Sequence, residues 1–181
     1  KSECFMGSSI GCSSALHAAG NSDVLLALGT KFTHILAHGA PPFFNDDQKL
    51  IQVDIDSTMI GRAKPVTLGI IGDANQFLSQ ILEKAKQKEK IENREWLKEC
   101  KNMRESYIKK ISKKASRDKV PIIPERLVGD VFKFIDEDAI FVADGGDITC
   151  YVVEQMNMHK ERKPLSYLQP VGMGMLGVAV P

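Results

Sequence analysis

Three short apolar runs organise the first half of the chain. They are Val24-Leu25-Leu26-Ala27-Leu28, which is continuously apolar, Leu50-Ile51-Gln52-Val53-Asp54-Ile55-Asp56, whose two acids sit at its carboxyl end, and Val66-Thr67-Leu68-Gly69-Ile70-Ile71. Each predicts a strand buried on both faces. Upstream, Ala15, Leu16, Ala18 and Ala19 give the small-residue stretch from Ser8 to Gly20 a short helical face. Between the first two runs, Pro41-Pro42 and Asn45-Asp46-Asp47 mark a loop. After the third, Gly72-Asp73 opens a helix, with Asp73 as N-cap and Gln76 completing a capping box. Leu78, Ile81, Leu82 and Ala85 recur at helical spacing, which predicts that this helix lays one face on the sheet. Strands separated by helices, with both sheet faces covered, make a parallel α/β unit joined by right-handed crossovers.

The pattern then changes. Trp96, Cys100, Met103, Tyr107 and Ile111 form a helical stripe in an otherwise charged segment, which fits a docked amphipathic connector better than a flexible linker. A second α/β unit begins at Val120. Pro124 suits a first helical turn, and Leu127, Val128, Val131, Phe132 and Ile135 form the buried face of the helix that follows. Ala139 to Ala143 predicts a buried strand running into Asp144-Gly145-Gly146-Asp147, and Tyr151 to Met158 a short helix. Leu165 to Leu168 leads to Val171-Gly172-Met173-Gly174-Met175-Leu176-Gly177, whose glycines stand in a G-x-G-x-x-G spacing. The expected segments are 1–86, a charged helical connector over 87–119, and 120–181.

Composition narrows the class without naming a chemistry. Apolar content of 43% and charged content of 26% over 181 residues are those of a globular protein. Formal net charge is +1, but Glu83 to Lys119 holds fourteen Lys and Arg against seven Asp and Glu, leaving ten against sixteen elsewhere. Acids interleave with the bases there, so a solvated helix fits better than a polyanion contact, and no nucleic-acid partner is expected. No apolar run approaches the roughly 18 residues of a membrane span, so no membrane partner is expected either. Cys4, Cys12, Cys100 and Cys150 are scattered, without C-x-x-C or metal-ligand spacing, and read as reduced thiols of a cytoplasmic protein. The chain starts at Lys1 rather than Met, which points to a piece of a longer protein.

Candidate chemistry gathers at strand ends, where open α/β sheets bind ligands. Asp54 and Asp56 follow the second run, and a carboxylate there can accept both hydroxyls of a ribose; Asp56 can equally cap the turn at Ser57-Thr58. As a dinucleotide fingerprint the C-terminal glycine loop is weak, because Pro170 interrupts the strand before it and no acid follows at the required distance. His17, His34, His38 and His159 have no partners at catalytic spacing, and His34 with His38 lacks a third ligand, so no metal site is expected in this chain.

The order of these motifs is more specific than any one of them. Asp23 to Phe32, Lys49 to Asp56, Ile60-Gly61-Arg62 and Gly69 to Asp73 closely resemble the middle domain of thiamine-diphosphate enzymes. Asp138 to Asp147, followed by Gly172 to Pro181, resembles the opening of their pyrophosphate-binding domain. The group is that of acetolactate synthase, oxalyl-CoA decarboxylase and 2-hydroxyacyl-CoA lyase, with Thr33 to Pro42 nearer the last two. The resemblance implies a Rossmann-like parallel sheet lacking its first strand, then the first part of a second α/β domain. It implies thiamine diphosphate and Mg²⁺ as cofactors, with the metal ligands outside this chain, as is the glutamate that activates the pyrimidine. Gly174 would offer its carbonyl, and Leu176 its N–H, to the aminopyrimidine; the Leu176 side chain would wedge the cofactor into its bent form. Gly146, Asp147 and Gly172 would border the cofactor, although a carboxylate at Asp147 is unfavourable beside a diphosphate unless metal or backbone donors intervene. Lys31, Asp54 and Asp56 stand where relatives hold FAD or ADP. The implied activity is making or cleaving a C–C bond next to a carbonyl, on a 2-keto acid, aldehyde or acyl-CoA, in a homo-oligomer. The chain alone is expected to be inactive. The competing expectation is a nucleotide-binding or structural module without catalysis of its own.

Overall fold

The computed structural model describes residues 4–8, 13–88, 94–158, 166–169 and 176–177. The chain divides into two compact units, Leu16–Leu97 and Lys98–Pro181 with Lys1–Ala15. Residues 98–119 therefore share a unit with the chain that follows them.

The first unit is built on a three-stranded parallel sheet, β1 (Val24–Leu28), β2 (Lys49–Asp54) and β3 (Leu68–Ile71), in that order. Register pairs Leu25 with Leu50 and Ala27 with Gln52, so these side chains share one face. That face carries the core: Ala27, Phe32, Phe44 and Leu50 are buried, with Ala19 of helix α1 (Ser13–Gly20), Leu25, Leu36 and Val66 packed around them. Phe32 and Phe44 meet edge to face with ring centroids 5.8 Å apart, a geometry favoured by the ring quadrupoles. Gln48 fastens the loop beneath, donating from Nε2 to the carbonyls of Ala19 (2.6 Å) and Ser22 (2.9 Å).

Burial on both faces holds for β2, where Leu50 and Val53 on opposite faces are fully buried, but not for β1 or β3. Val24 and Leu26, on the opposite face of β1, are 51% and 40% exposed, and most of β3 is open. Helix α2 (Ala74–Ala85) starts as predicted, with the Asp73 carboxylate accepting from the Gln76 N–H at 2.9 Å. Its apolar stripe nevertheless stays uncovered: α2 buries no residue, and Leu78, Ile81 and Leu82 are exposed. The strands are also shorter than their apolar runs. Ile55 and Asp56 lie beyond β2, in the turn that enters a 3₁₀ segment at Ser57–Met59.

The second unit is mostly helical. α3 (Arg94–Ala115) realises the charged stripe, burying Cys100, Tyr107 and Ile111. Ala15, Ile108 and Met158 pack against Tyr107 and Ile111. α4 (Pro124–Phe134) begins with its proline in the first turn and buries Val128 and Phe132, but Leu127 is exposed. Two-residue strands β4 (Phe141–Val142) and β5 (Tyr167–Leu168) pair in parallel, flanking α5 (Ile148–Met158) in sequence. Val128, Phe132, Ala143 and Val152 form this unit's core, with Phe141 and Tyr167 against it. β4 is shorter than the predicted strand, and α5 begins earlier than the predicted helix.

Candidate functional sites

Gln52 and Asp54 point to the same face and are both buried. Gln52 uses both ends of its amide: Nε2 donates to the Met59 carbonyl and Oε1 accepts from the Gly61 N–H, each at 3.0 Å. This clamp sets the turn that carries Met59 and Arg62. A cleft of about 410 Å³ opens beside it, lined by Gln52, Met59 and Ala63 and by the basic side chains Lys31, His34, His38 and Arg62. His38 reaches the cleft through a kink: Ala37 and His38 have left-handed φ of 48° and 54°.

The two carboxylates are used locally. Asp54 accepts the Asp56 N–H at 3.0 Å, and Asp56 accepts both the Thr58 N–H (2.9 Å) and the Thr58 hydroxyl (2.7 Å). The Thr58 hydroxyl, then its N–H, hold the Asp56 carboxyl below the ordinary value, with Lys31 and Arg62 assisting. The capping role for Asp56 is the one the structure displays. Lys31 lines the cleft, whereas Asp54 and Asp56 are not among its lining residues.

The end of β4 is built differently. The ladder continues past the strand through the Ala143 N–H to the Leu168 carbonyl, 3.1 Å. Asp144 then receives the Thr149 hydroxyl on its backbone carbonyl at 3.0 Å, while its Oδ2 accepts the Gly177 N–H at 2.9 Å. Gly146 has φ +81°, and a Cβ there would lie 3.8 Å from Leu176 Cδ2. The Thr149 N–H bonds the Gly146 carbonyl (3.2 Å) and the Cys150 N–H that of Asp147 (3.0 Å), which fixes this loop to the first turn of α5. Residues far apart in sequence, Gly146 and Leu176, are thus brought together. Leu176 is 73% exposed, an apolar side chain held in place and left open. Asp147 is exposed at the rim. Gly172 and Gly174 lie outside the described residues.

Elsewhere in this unit the ionisable groups serve structure. Burial works to raise the Glu125 carboxyl, but its own backbone hydrogen bond and Lys114, at 3.0 Å, outweigh it and hold the carboxyl below its ordinary value. Burial raises Glu154, with Lys114 pulling the other way. Burial, with Cys150 nearby, pushes the Tyr167 phenol up to about 12. Among the described residues no group of three or more His, Cys, Asp or Glu could hold a metal ion. No helix there is long and apolar enough to cross a membrane.

Asp144, Gln52 and Arg62 were not legible as site residues. Gln52 left one signal, an amide inside a buried apolar run. Asp144 stood in a strand-end turn, Asp144-Gly145-Gly146-Asp147, of the kind that binds ligands, but its own role was hidden because its partner is on a loop remote in sequence.

Residues 1–81 match the family model of the thiamine pyrophosphate enzyme central domain. The chain is 31% identical, over 94% of its length, to the acetolactate synthase large subunit of Corynebacterium glutamicum, covering 26% of that protein. It is 25% identical over 85% of its length to glyoxylate carboligase of Escherichia coli O157:H7, covering 27%, and 26% identical over 94% to acetolactate synthase of Mycobacterium leprae, again covering 27%. Over residues 1–81 the chain carries the central domain of the thiamine-diphosphate enzyme superfamily. It spans about a quarter of the length of these curated relatives.

The β4 end fits such a cofactor. Gly146 lacks the Cβ that would crowd an approach, and Leu176 presents an open apolar surface to a ring, while the Thr149 and Cys150 N–H groups of the helix start are already taken by the Gly146 and Asp147 carbonyls.

Proposed function

We propose that this chain is the middle domain and the start of the cofactor domain of a longer thiamine-diphosphate- and Mg²⁺-dependent enzyme. The reaction is making or cleaving a C–C bond beside a carbonyl, as in an acetolactate synthase, decarboxylase or 2-hydroxyacyl-CoA lyase. Bound thiamine diphosphate supplies the electron sink for that bond. What supports the reading is the Leu176–Gly177 turn, seated against Gly146 with its leucine open.

The chain's own part is geometry. The Leu176 side chain supports the cofactor from one side and excludes water there, and Gly174 would contribute a backbone carbonyl to the pyrimidine. Gly146 lets the backbone approach closely. Asp147, an anion at the rim, is tolerable beside a diphosphate once a divalent cation is bound, and the ligands of that cation lie outside this chain. The substrate is a 2-keto acid, aldehyde or acyl-CoA, the assembly a homo-oligomer and the setting cytoplasmic.

The cleft of the first unit favours a second ligand in the same protein. Lys31, Arg62 and two histidines around one opening attract phosphates, which supports FAD or ADP there. A ribose role for Asp54 and Asp56 competes with the backbone N–H groups that both carboxylates already accept.

Calorimetric titration of the full-length protein with thiamine diphosphate and Mg²⁺, and separately with FAD and ADP, tests both readings. Saturable thiamine diphosphate binding is expected. Binding of ADP or FAD with no uptake of thiamine diphosphate would leave only a nucleotide-binding module.

A further inference from the structure

The Leu176 side chain is mostly solvent-exposed, so a packed core does not fix its position. The described contact that can do so is a hydrogen bond. The Gly177 N–H belongs to the peptide plane that also carries the Leu176 carbonyl, so an acceptor fixed opposite that N–H orients the plane and the residue before it. That acceptor is the Asp144 carboxylate, 2.9 Å away. Gly177 has φ +82°, a conformation glycine adopts without strain, so the turn is free to meet this acceptor.

Asp144 is itself held from behind. It follows the last ladder bond of β4, and its backbone carbonyl receives the hydroxyl of Thr149, which is buried in the first turn of α5. Rigid strand and helix are thereby connected, through one carboxylate, to a loop residue more than thirty positions away. A carboxylate only accepts, so the polarity of the contact is fixed, and an ionised acceptor makes the stronger bond.

We propose that Asp144 is a positioning residue: by holding the Gly177 N–H it sets where Leu176 stands against Gly146, and hence the alignment of the cofactor that Leu176 supports. The inference rests on the thiamine-diphosphate reading above and adds a residue which that reading does not use.

The test uses the full-length protein with thiamine diphosphate and Mg²⁺, comparing Asp144→Ala with Asp144→Asn, which keeps an acceptor oxygen in the same place. Three quantities are read: amide hydrogen exchange at Gly177, the cofactor's dissociation constant, and exchange of the proton on its acidic thiazolium carbon with deuterium. In Asp144→Ala, Gly177 should exchange about tenfold faster. The thiazolium proton should exchange up to about a hundredfold more slowly, as expected when reacting groups are misplaced by about an ångström. The dissociation constant should move far less than that rate, and Asp144→Asn should recover most of both losses. Should Asp144→Ala misfold, Asp144→Asn and Thr149→Val still report, the second loosening Asp144 from behind and slowing proton exchange by a smaller factor. Unchanged Gly177 protection in Asp144→Ala, or an unchanged thiazolium rate with cofactor bound, overturns the proposal. Failure of the unaltered protein to bind thiamine diphosphate overturns the cofactor reading instead, and Gly177 exchange then tells whether the tie itself exists.

Discussion

At the carboxyl end of β2 the carboxylates turn back on their own backbone: Asp54 takes the Asp56 N–H, and Asp56 takes the Thr58 N–H and hydroxyl. Asp73, just after β3, does the same for the first turn of α2. At the carboxyl end of β4 the acid reaches outward, and Asp144 holds the Gly177 N–H of a distant turn. The supports differ as well. β2 is a central strand paired on both sides, with Leu50 and Val53 fully buried, whereas β4, among the described residues, is two residues paired on one side. A well-supported strand end needs its acids only to shape the next turn. A short strand gains definition from a long-range tie, and the loop so tied becomes a place where a ligand can be aligned. Acids at a strand end therefore do not mark a ligand site by themselves; what they accept decides.

The largest effect that would sharpen this contrast comes from the core under β2. Leu50→Ala should destabilise the chain by about 2–5 kcal/mol, read from the urea midpoint, because a fully buried leucine leaves a cavity. A loss no larger than that of an exposed substitution would show that β2 is not the support described. Next is Gln52→Leu, of similar volume, which strands the Met59 carbonyl and the Gly61 N–H. A cost of about 1–3 kcal/mol is expected, together with weaker ADP binding as the Arg62 turn loosens; unchanged stability would mean that the clamp is replaceable by water.

The smallest effect is a pH-dependent gain in the other unit. Burial raises Glu154 above the ordinary carboxyl value of 4.5. A raised folded value contributes stability below the unfolded value and loses it as pH rises through the folded one. Glu154→Gln should therefore stabilise at neutral pH, by less than about 1 kcal/mol after solvent screening, and the gain should vanish below pH 4.5. A gain independent of pH would place its origin elsewhere. Glu125 runs oppositely, its lowered value making the Lys114 pair stabilising at neutral pH and lost in acid.

What the sequence made legible was local. Apolar runs located β1, β2 and β3, and the Asp73–Gln76 spacing located the start of α2, because strand propensity and capping are settled within a few residues. The exposure of Val24, Leu26 and the α2 stripe was not legible, since an apolar run reads the same whether or not something covers its second face. The choice between cap and ribose ligand at Asp56 turned on a Thr58 rotamer that spacing cannot fix. The turn at Asp144 was legible as a strand end, but the role of Asp144 was not, because it depends on where the chain returns. The order of motifs, by contrast, carried the superfamily, which the relatives support across nearly the whole chain.

The central claim is that the cofactor of this superfamily is held at the β4 end, through Leu176, and not at the β2 end. Calorimetric titration of thiamine diphosphate with Mg²⁺ into the full-length protein, comparing Leu176→Ser with Asp54→Asn, tests it most directly. Losing an apolar side chain that covers a ring should weaken binding by about tenfold or more, and Asp54→Asn should leave it unchanged. Unaltered affinity in Leu176→Ser, or a loss confined to Asp54→Asn, would contradict the account.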